Sequence, residues 1–126
     1  MLQDAPMFAY IPAKDVSRAR EFYEGKLGFK PGQEFSGGVH YDFAGGSACY
    51  LYQTPNARSS KASQAFWYVK NIESEVAELK SRGVTFETYD LPGTDANGIT
   101  TDGGVKAAWF KDSEGNIMAL VQRLEP

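Results

Sequence analysis

The chain has 126 residues, 23% of them charged, with 13 Lys and Arg against 16 Asp and Glu for a net charge of -3. That length suits one domain with a core of its own, and the charge balance offers no basic field for holding phosphates, so nucleic acid is not expected as a partner. The single cysteine, Cys49, leaves no intrachain disulfide, no run reaches the roughly 18 apolar residues of a membrane span, and no signal-peptide pattern opens the chain, so a soluble cytoplasmic protein is expected.

Residues 7–12 form a short apolar run that suits a strand. Asp15 then offers a side-chain cap to a helix on which Val16, Ala19, Phe22, Tyr23 and Leu27 recur at helical spacing, and Gly28 ends it. Three strand-like runs follow at 30–36, 39–43 and 48–53. They are separated by Gly37-Gly38 and Gly45-Gly46, paired glycines of the kind that accept positive φ in hairpin turns. Read as a two-residue turn, Gly45-Gly46 sets Tyr41 opposite Tyr50 and turns His40 and Asp42 to the other face of the sheet.

After a polar linker, 54–63, the order repeats. An apolar strand at 65–69 leads to a cap at Asn71, a helix marked by Ile72, Val76 and Leu79, a stop at Gly83, and strands at 85–89, 106–110 and 117–122. Ala9 aligns with Ala65, Lys14 with Lys70, Asp15 with Asn71, and Leu51-Tyr52-Gln53 with Leu120-Val121-Gln122. A duplicated βαβββ unit is therefore expected, module 1 at about 7–53 and module 2 at about 64–122, within one domain spanning 1–126. The stretch 90–105 of the second unit, rich in Gly, Asp and Thr, reads as a long loop, either a flap able to close over a ligand or a disordered segment, and it fits no phosphate-binding or dinucleotide glycine pattern.

Phe22-Tyr23 followed by Leu27-Gly28-Phe29, and the run from Asp112 through Ser113, Glu114 and Gly115 to Asn116, resemble the signatures of the vicinal-oxygen-chelate family of glyoxalase I, extradiol dioxygenases and bleomycin-resistance proteins. The resemblance covers essentially the whole chain. It implies an α+β fold in which two βαβββ modules curl a mixed sheet into a half-open barrel, with helices on the convex side and a ligand cavity on the concave side. It also implies four metal-ligand positions on the first and last strands of the modules, normally His, Gln or Glu. Carried onto this sequence they fall at Phe8, Tyr50, Gln64 and Ala119. Phenylalanine and alanine offer no donor, and a phenol must lose a proton with a pKa of about 10 to bind a metal well, so no metal and no cofactor are expected.

Strand side chains alternate, so one position fixes a face. With those four positions turned to the cavity, Tyr10, Tyr52, Phe66, Tyr68, Ile117 and Val121 join them. The helix side then takes Ala9, Ile11, Cys49, Leu51, Ala65, Trp67, Met118 and Leu120, with Cys49 as a buried inert thiol. The expected site is Phe8, Tyr10, Tyr50, Tyr52, Gln64, Phe66, Tyr68 and Ala119, holding a planar aromatic ligand without metal, in the manner of a bleomycin-resistance protein. The alternatives are a glyoxalase-like lyase or isomerase with an atypical or absent metal site, including a metal-free catalyst using Tyr50 or His40, and a vestigial cavity on a protein-interaction domain. Open sheet edges make a homodimer the expected assembly.

Overall fold

The computed structural model describes residues 1–124, so Glu125 and Pro126 of the expected domain lie outside the described residues. Module 1 comprises β1 (Ala9–Ala13), α1 (Val16–Arg20), β2 (Glu34–Phe35), β3 (Gly38–Asp42) and β4 (Ala48–Gln53). Module 2 comprises β5 (Ser63–Tyr68), α2 (Ile72–Ser81), β6 (Thr100–Asp102), β7 (Val105–Lys111) and β8 (Ile117–Arg123). Both helices start at the expected caps: Arg18 N–H donates to the Asp15 carboxylate at 3.0 Å, and Ser74 N–H to the Asn71 side chain at 2.9 Å. Beyond α1 the chain widens into π-helical turns, Glu21–Lys26, and this geometry brings the adjacent rings of Phe22 and Tyr23 into the core together.

Each module folds into a four-stranded mixed sheet, ordered β1-β4-β3-β2 and β5-β8-β7-β6. In each, the first strand runs parallel to the last and the others pair antiparallel, the repeated order expected of a duplication. The fold is α+β, but the sheets are not closed into a barrel. They meet instead through their helix-covered faces. Ile11, Tyr41 and Leu51 of the first sheet share one core with Ala108, Phe110 and Met118 of the second, bridged by Phe22 stacked on Phe110 and by Trp67 against Phe29 and Phe43. Burying each large side chain contributes roughly 1.5 to 3 kcal/mol, so this shared layer dominates the packing between modules. The eight residues expected on the helix side all lie in or against it.

Four expectations are corrected. The strand read at 30–36 is only Glu34–Phe35, followed by a tight turn at Ser36 and Gly37 with φ of 50° and 79°. Gly38 already belongs to β3, and a Cβ there would stand 2.2 Å from the Leu51 carbonyl oxygen, so the close approach to β4 requires glycine. The run 85–89 is not a strand: Phe86 makes an isolated bridge to Phe110, and Glu87 N–H reaches the Trp109 carbonyl. The rest of that β7 edge is covered by β6, which comes from the stretch expected to be a closing loop. That stretch is pinned by buried Ile99 and by the Asp95 carboxylate, which accepts from Asn97 and Ile99 N–H, so it packs as part of the sheet edge.

The fourth correction is the β3–β4 register. The connection runs over residues 43–47, closed by Phe43 N–H to the Ser47 carbonyl at 2.8 Å, and it sets Tyr41 opposite Cys49 and His40 opposite Tyr50. The physical reason is burial: this register puts the Tyr41 ring in the core, its hydroxyl donating to Glu24, and leaves the polar His40 and Asp42 on the open face.

Candidate ligand-binding site

Because the sheets share a core through one face, their other faces point outward, and the rings expected in one cavity fall into two groups. On the first sheet Tyr10 pairs with Tyr50 in the β1–β4 register, the Tyr10 and Tyr52 rings meet edge to face at 5.0 Å, and Phe35 stacks on Tyr50 at 4.6 Å. Phe8, Tyr10, Phe35, His40 and Tyr50 line a cleft of about 300 Å³. Phe8 and Tyr10 are 46% and 67% exposed, far more than core aromatics and in keeping with a surface that receives something.

On the second sheet Phe66 and Tyr68 meet edge to face at 5.0 Å, and the Arg123 guanidinium lies over the Tyr68 ring at 4.0 Å. Ala119 sits in register between Phe66 and Trp109 and is buried. A broader cleft of about 620 Å³ opens beside Ser63 and Ile117, walled by Tyr89, Trp109, Lys61 and Lys111. Gln64 is placed differently from expectation. The β5–β8 pairing steps between Ser63 opposite Ile117 and Ala65 opposite Met118, so Gln64 falls within the irregularity and Ser63 takes the place beside Ile117.

The donor set does not fit a catalytic divalent ion. Of the four corresponding positions, Phe8 and Ala119 carry no donor, Gln64 lies in the irregular step, and Tyr50 already donates its hydroxyl proton to the Phe35 carbonyl at 2.8 Å. Among the described residues no three His, Cys, Asp or Glu side chains are grouped so as to hold a metal. Cys49 is buried, which pushes its thiol up to about 12 and leaves it unreactive at neutral pH.

A separate set of charged groups ties module 2 to module 1. The Glu114 carboxylate, 1% exposed, accepts from Lys14 and Asp15 N–H and from the Arg18 guanidinium at 2.7 and 3.1 Å. Burial alone would raise this carboxyl, but Arg18 and the two backbone N–H groups outweigh it and hold the group below the usual range. Beside it Asp112 accepts from the Tyr23 hydroxyl at 2.6 Å and from Asn116. Burial raises the Asp112 carboxyl, and burial followed by the neighbouring Asp112 charge raises the Tyr23 phenol well above its ordinary value. The run from Asp112 to Asn116, which carries the sequence resemblance, is thus a structural lock.

Sequence reasoning missed Phe35, His40, Tyr89 and Trp109 as cleft residues. Trp109 was within reach, since a short hairpin over 112–116 sets it opposite Ala119. His40 depended on the length of the 43–47 turn, and Tyr89 on a segment without strand pairing. No helix among the described residues is long and apolar enough to cross a membrane.

Residues 6–120 match the Glyoxalase/Bleomycin resistance protein/Dioxygenase superfamily. Among solved structures, a glyoxalase/bleomycin resistance protein/dioxygenase from Alicyclobacillus acidocaldarius is similar with a TM-score of 0.74 at 18% identity, over 97% of this chain and 93% of that one. TnmS3, an antibiotic binding protein from Streptomyces sp. CB03234, is similar with a TM-score of 0.68 at 19% identity over 94% of each chain. A putative glyoxalase family protein from Bacillus anthracis gives 0.68 at 16% identity, over 93% of this chain and 94% of that one. No curated protein matches.

Proposed function

The chain belongs to the Glyoxalase/Bleomycin resistance protein/Dioxygenase superfamily, and from that premise we propose that it binds a planar aromatic small molecule reversibly and without a metal ion. The observation that carries this reading is a substitution of character at the family's ligand positions. Where metal donors would stand, this chain has Phe8, Tyr50 and Ala119, and around them Tyr10, Phe66 and Tyr68 are exposed and Tyr52 is half-buried. Such rings suit stacking and apolar burial, each good ring pair contributing about 0.5 to 1.5 kcal/mol beyond area.

A second copy of the chain belongs to the reading. The two ring-bearing faces turn away from each other within one chain, and each sheet keeps edge strands free of a neighbouring strand, β1 and β2 in one and β5 and β6 in the other. Pairing the first sheet of one copy with the second sheet of another would enclose the rings in a common cavity and cover exposed apolar surface. The similarity to an antibiotic binding protein of the same fold agrees with sequestration rather than turnover. Residues on strands rather than on a mobile lid would do the binding, since the stretch once expected to close is fixed along the edge of β7.

Elemental analysis of gently purified protein, followed by thermal-shift screening of the chelator-treated protein against aromatic metabolites and antibiotics, tests the proposal. The expected result is no stoichiometric metal and a ligand-dependent rise in melting temperature. One tightly held Zn, Ni, Mn or Fe per chain would contradict it. Light scattering should give twice the 13.9 kDa chain mass at micromolar concentration.

A further inference from the structure

The two ring-lined faces differ in charge. On the first sheet no lysine or arginine lines the cleft of Phe8, Phe35 and Tyr50. On the second, Lys61 and Lys111 stand in the wall of the cleft of about 620 Å³, with one carboxylate, Glu87, beside them. Lys111 Nζ lies 3.3 Å from Glu87 Oε1, so these two charges offset each other. Lys61 makes no ion pair among the described residues, which leaves the cleft wall with one cation in excess. The aromatic part of the wall is held in place by backbone bonds. Glu87 N–H donates to the Trp109 carbonyl at 2.7 Å and Leu91 N–H to the Tyr89 carbonyl at 2.9 Å, and the Tyr89 ring meets Trp109 edge to face at 5.4 Å. Both rings line the cleft and stay partly exposed.

We propose that the second-sheet cleft binds an aromatic carboxylate, its ring against Trp109 and Tyr89 and its carboxylate paired with Lys61. The inference rests on the reading of the open faces as aromatic-binding and adds which face takes an acid. A volume of about 620 Å³ lies within the usual range of small-molecule sites and leaves room for fused rings and a head group. Ring contact with Trp109 and Tyr89 rewards any arene of the right size equally. Discrimination comes from charge: the unpaired ammonium attracts a carboxylate, and Glu87, the one group in the wall that would repel it, is offset by Lys111. A neutral amide of the same shape gains the ring contact without the ion pair.

The test is calorimetric titration of the intact protein at neutral pH with 2-naphthoate and with 2-naphthamide, which keeps the ring and planar head group and lacks the charge. The wild type should prefer 2-naphthoate by about three- to fivefold at low salt, the worth of one partly exposed ion pair. That preference should fade in about 1 M salt, where the screening length is about 3 Å. In Lys61→Met, which keeps an unbranched side chain and removes the charge, it should fall below about twofold. In Glu87→Gln, which keeps the backbone bond to Trp109 and frees Lys111, it should rise. Trp109→Leu should weaken both ligands. Equal affinities in the wild type at low salt, a preference that survives in Lys61→Met or fails to rise in Glu87→Gln, or unchanged binding in Trp109→Leu overturns the inference and leaves the aromatic reading standing. Failure of both probes to bind the wild type overturns that reading as well. The wild-type comparison at low and high salt stands alone should a variant fail to fold.

Discussion

The two modules share a plan and differ in how the start of each helix is held. In module 2 the arrangement is local: Ile72 N–H donates at 2.9 Å to Gln122, at the end of the module's own last strand. In module 1 the matching Gln53 turns its amide the other way, Nε2 donating to the Lys14 carbonyl. The Lys14 and Asp15 N–H groups go instead to Glu114 of the other module, and Arg18 closes on the same carboxylate. The comparison shows how a repeated unit becomes an asymmetric molecule. Both helices carry their own N-caps, Asp15 and Asn71, but module 1 hands the backbone N–H groups just before α1 to its neighbour's Glu114, which ties the two modules together.

That difference is sharpened by removing each acceptor in turn. Glu114→Ala leaves two backbone donors and Arg18 without their partner and should cost about 3 kcal/mol, against about 1 kcal/mol for Gln122→Ala, read from urea midpoints. Equal losses would erase the distinction between the tied and the local arrangement. The pH dependence follows the same group. Because the folded Glu114 carboxyl sits below its ordinary value, its contribution is present above about pH 4.5 and is lost as pH falls through the folded value. Wild type and Glu114→Gln should therefore converge in stability in acid, measured by chemical denaturation across pH.

Smaller effects probe the rest of the lock and the two ring faces. Tyr23→Phe removes the hydroxyl that donates to Asp112 and should cost about 1.5 kcal/mol, because the carboxylate is left buried with one partner fewer. Tyr50→Ala should weaken binding of an aromatic ligand on the first sheet by about tenfold, or 1.4 kcal/mol, in calorimetry. Arg123→Ala on the second sheet should cost only about 0.5 to 1 kcal/mol of stability, the worth of an exposed cation over a ring, and leave binding at the first cleft unchanged.

The frame was legible because its signals are local. Asp15 and Asn71 mark helix starts by their own side chains, and period-two alternation sorts Ile11, Leu51, Met118 and Leu120 from Tyr10, Tyr50 and Tyr68 without knowledge of the partner strands. What escaped the sequence depends on how long a turn is or on contacts far apart in the chain. The side of the sheet that His40 occupies is set by whether the loop before β4 spans two residues or five, and glycines fit both. Thr100–Asp102 pairs as β6 just after a turn that Asp95 and Ile99 anchor, a contact that no local spacing signals. The Glu114 tie joins residues separated by 96 to 100 positions, and no spacing rule in a single sequence announces it.

We propose that ring-lined clefts on this scaffold bind an aromatic ligand without metal. Calorimetric titration of chelator-treated protein with 2-naphthol, repeated after adding one equivalent of Zn²⁺, tests it most directly. Saturable binding is expected in the metal-free protein, with the same affinity when zinc is present. Binding that appears only once zinc is added would contradict it.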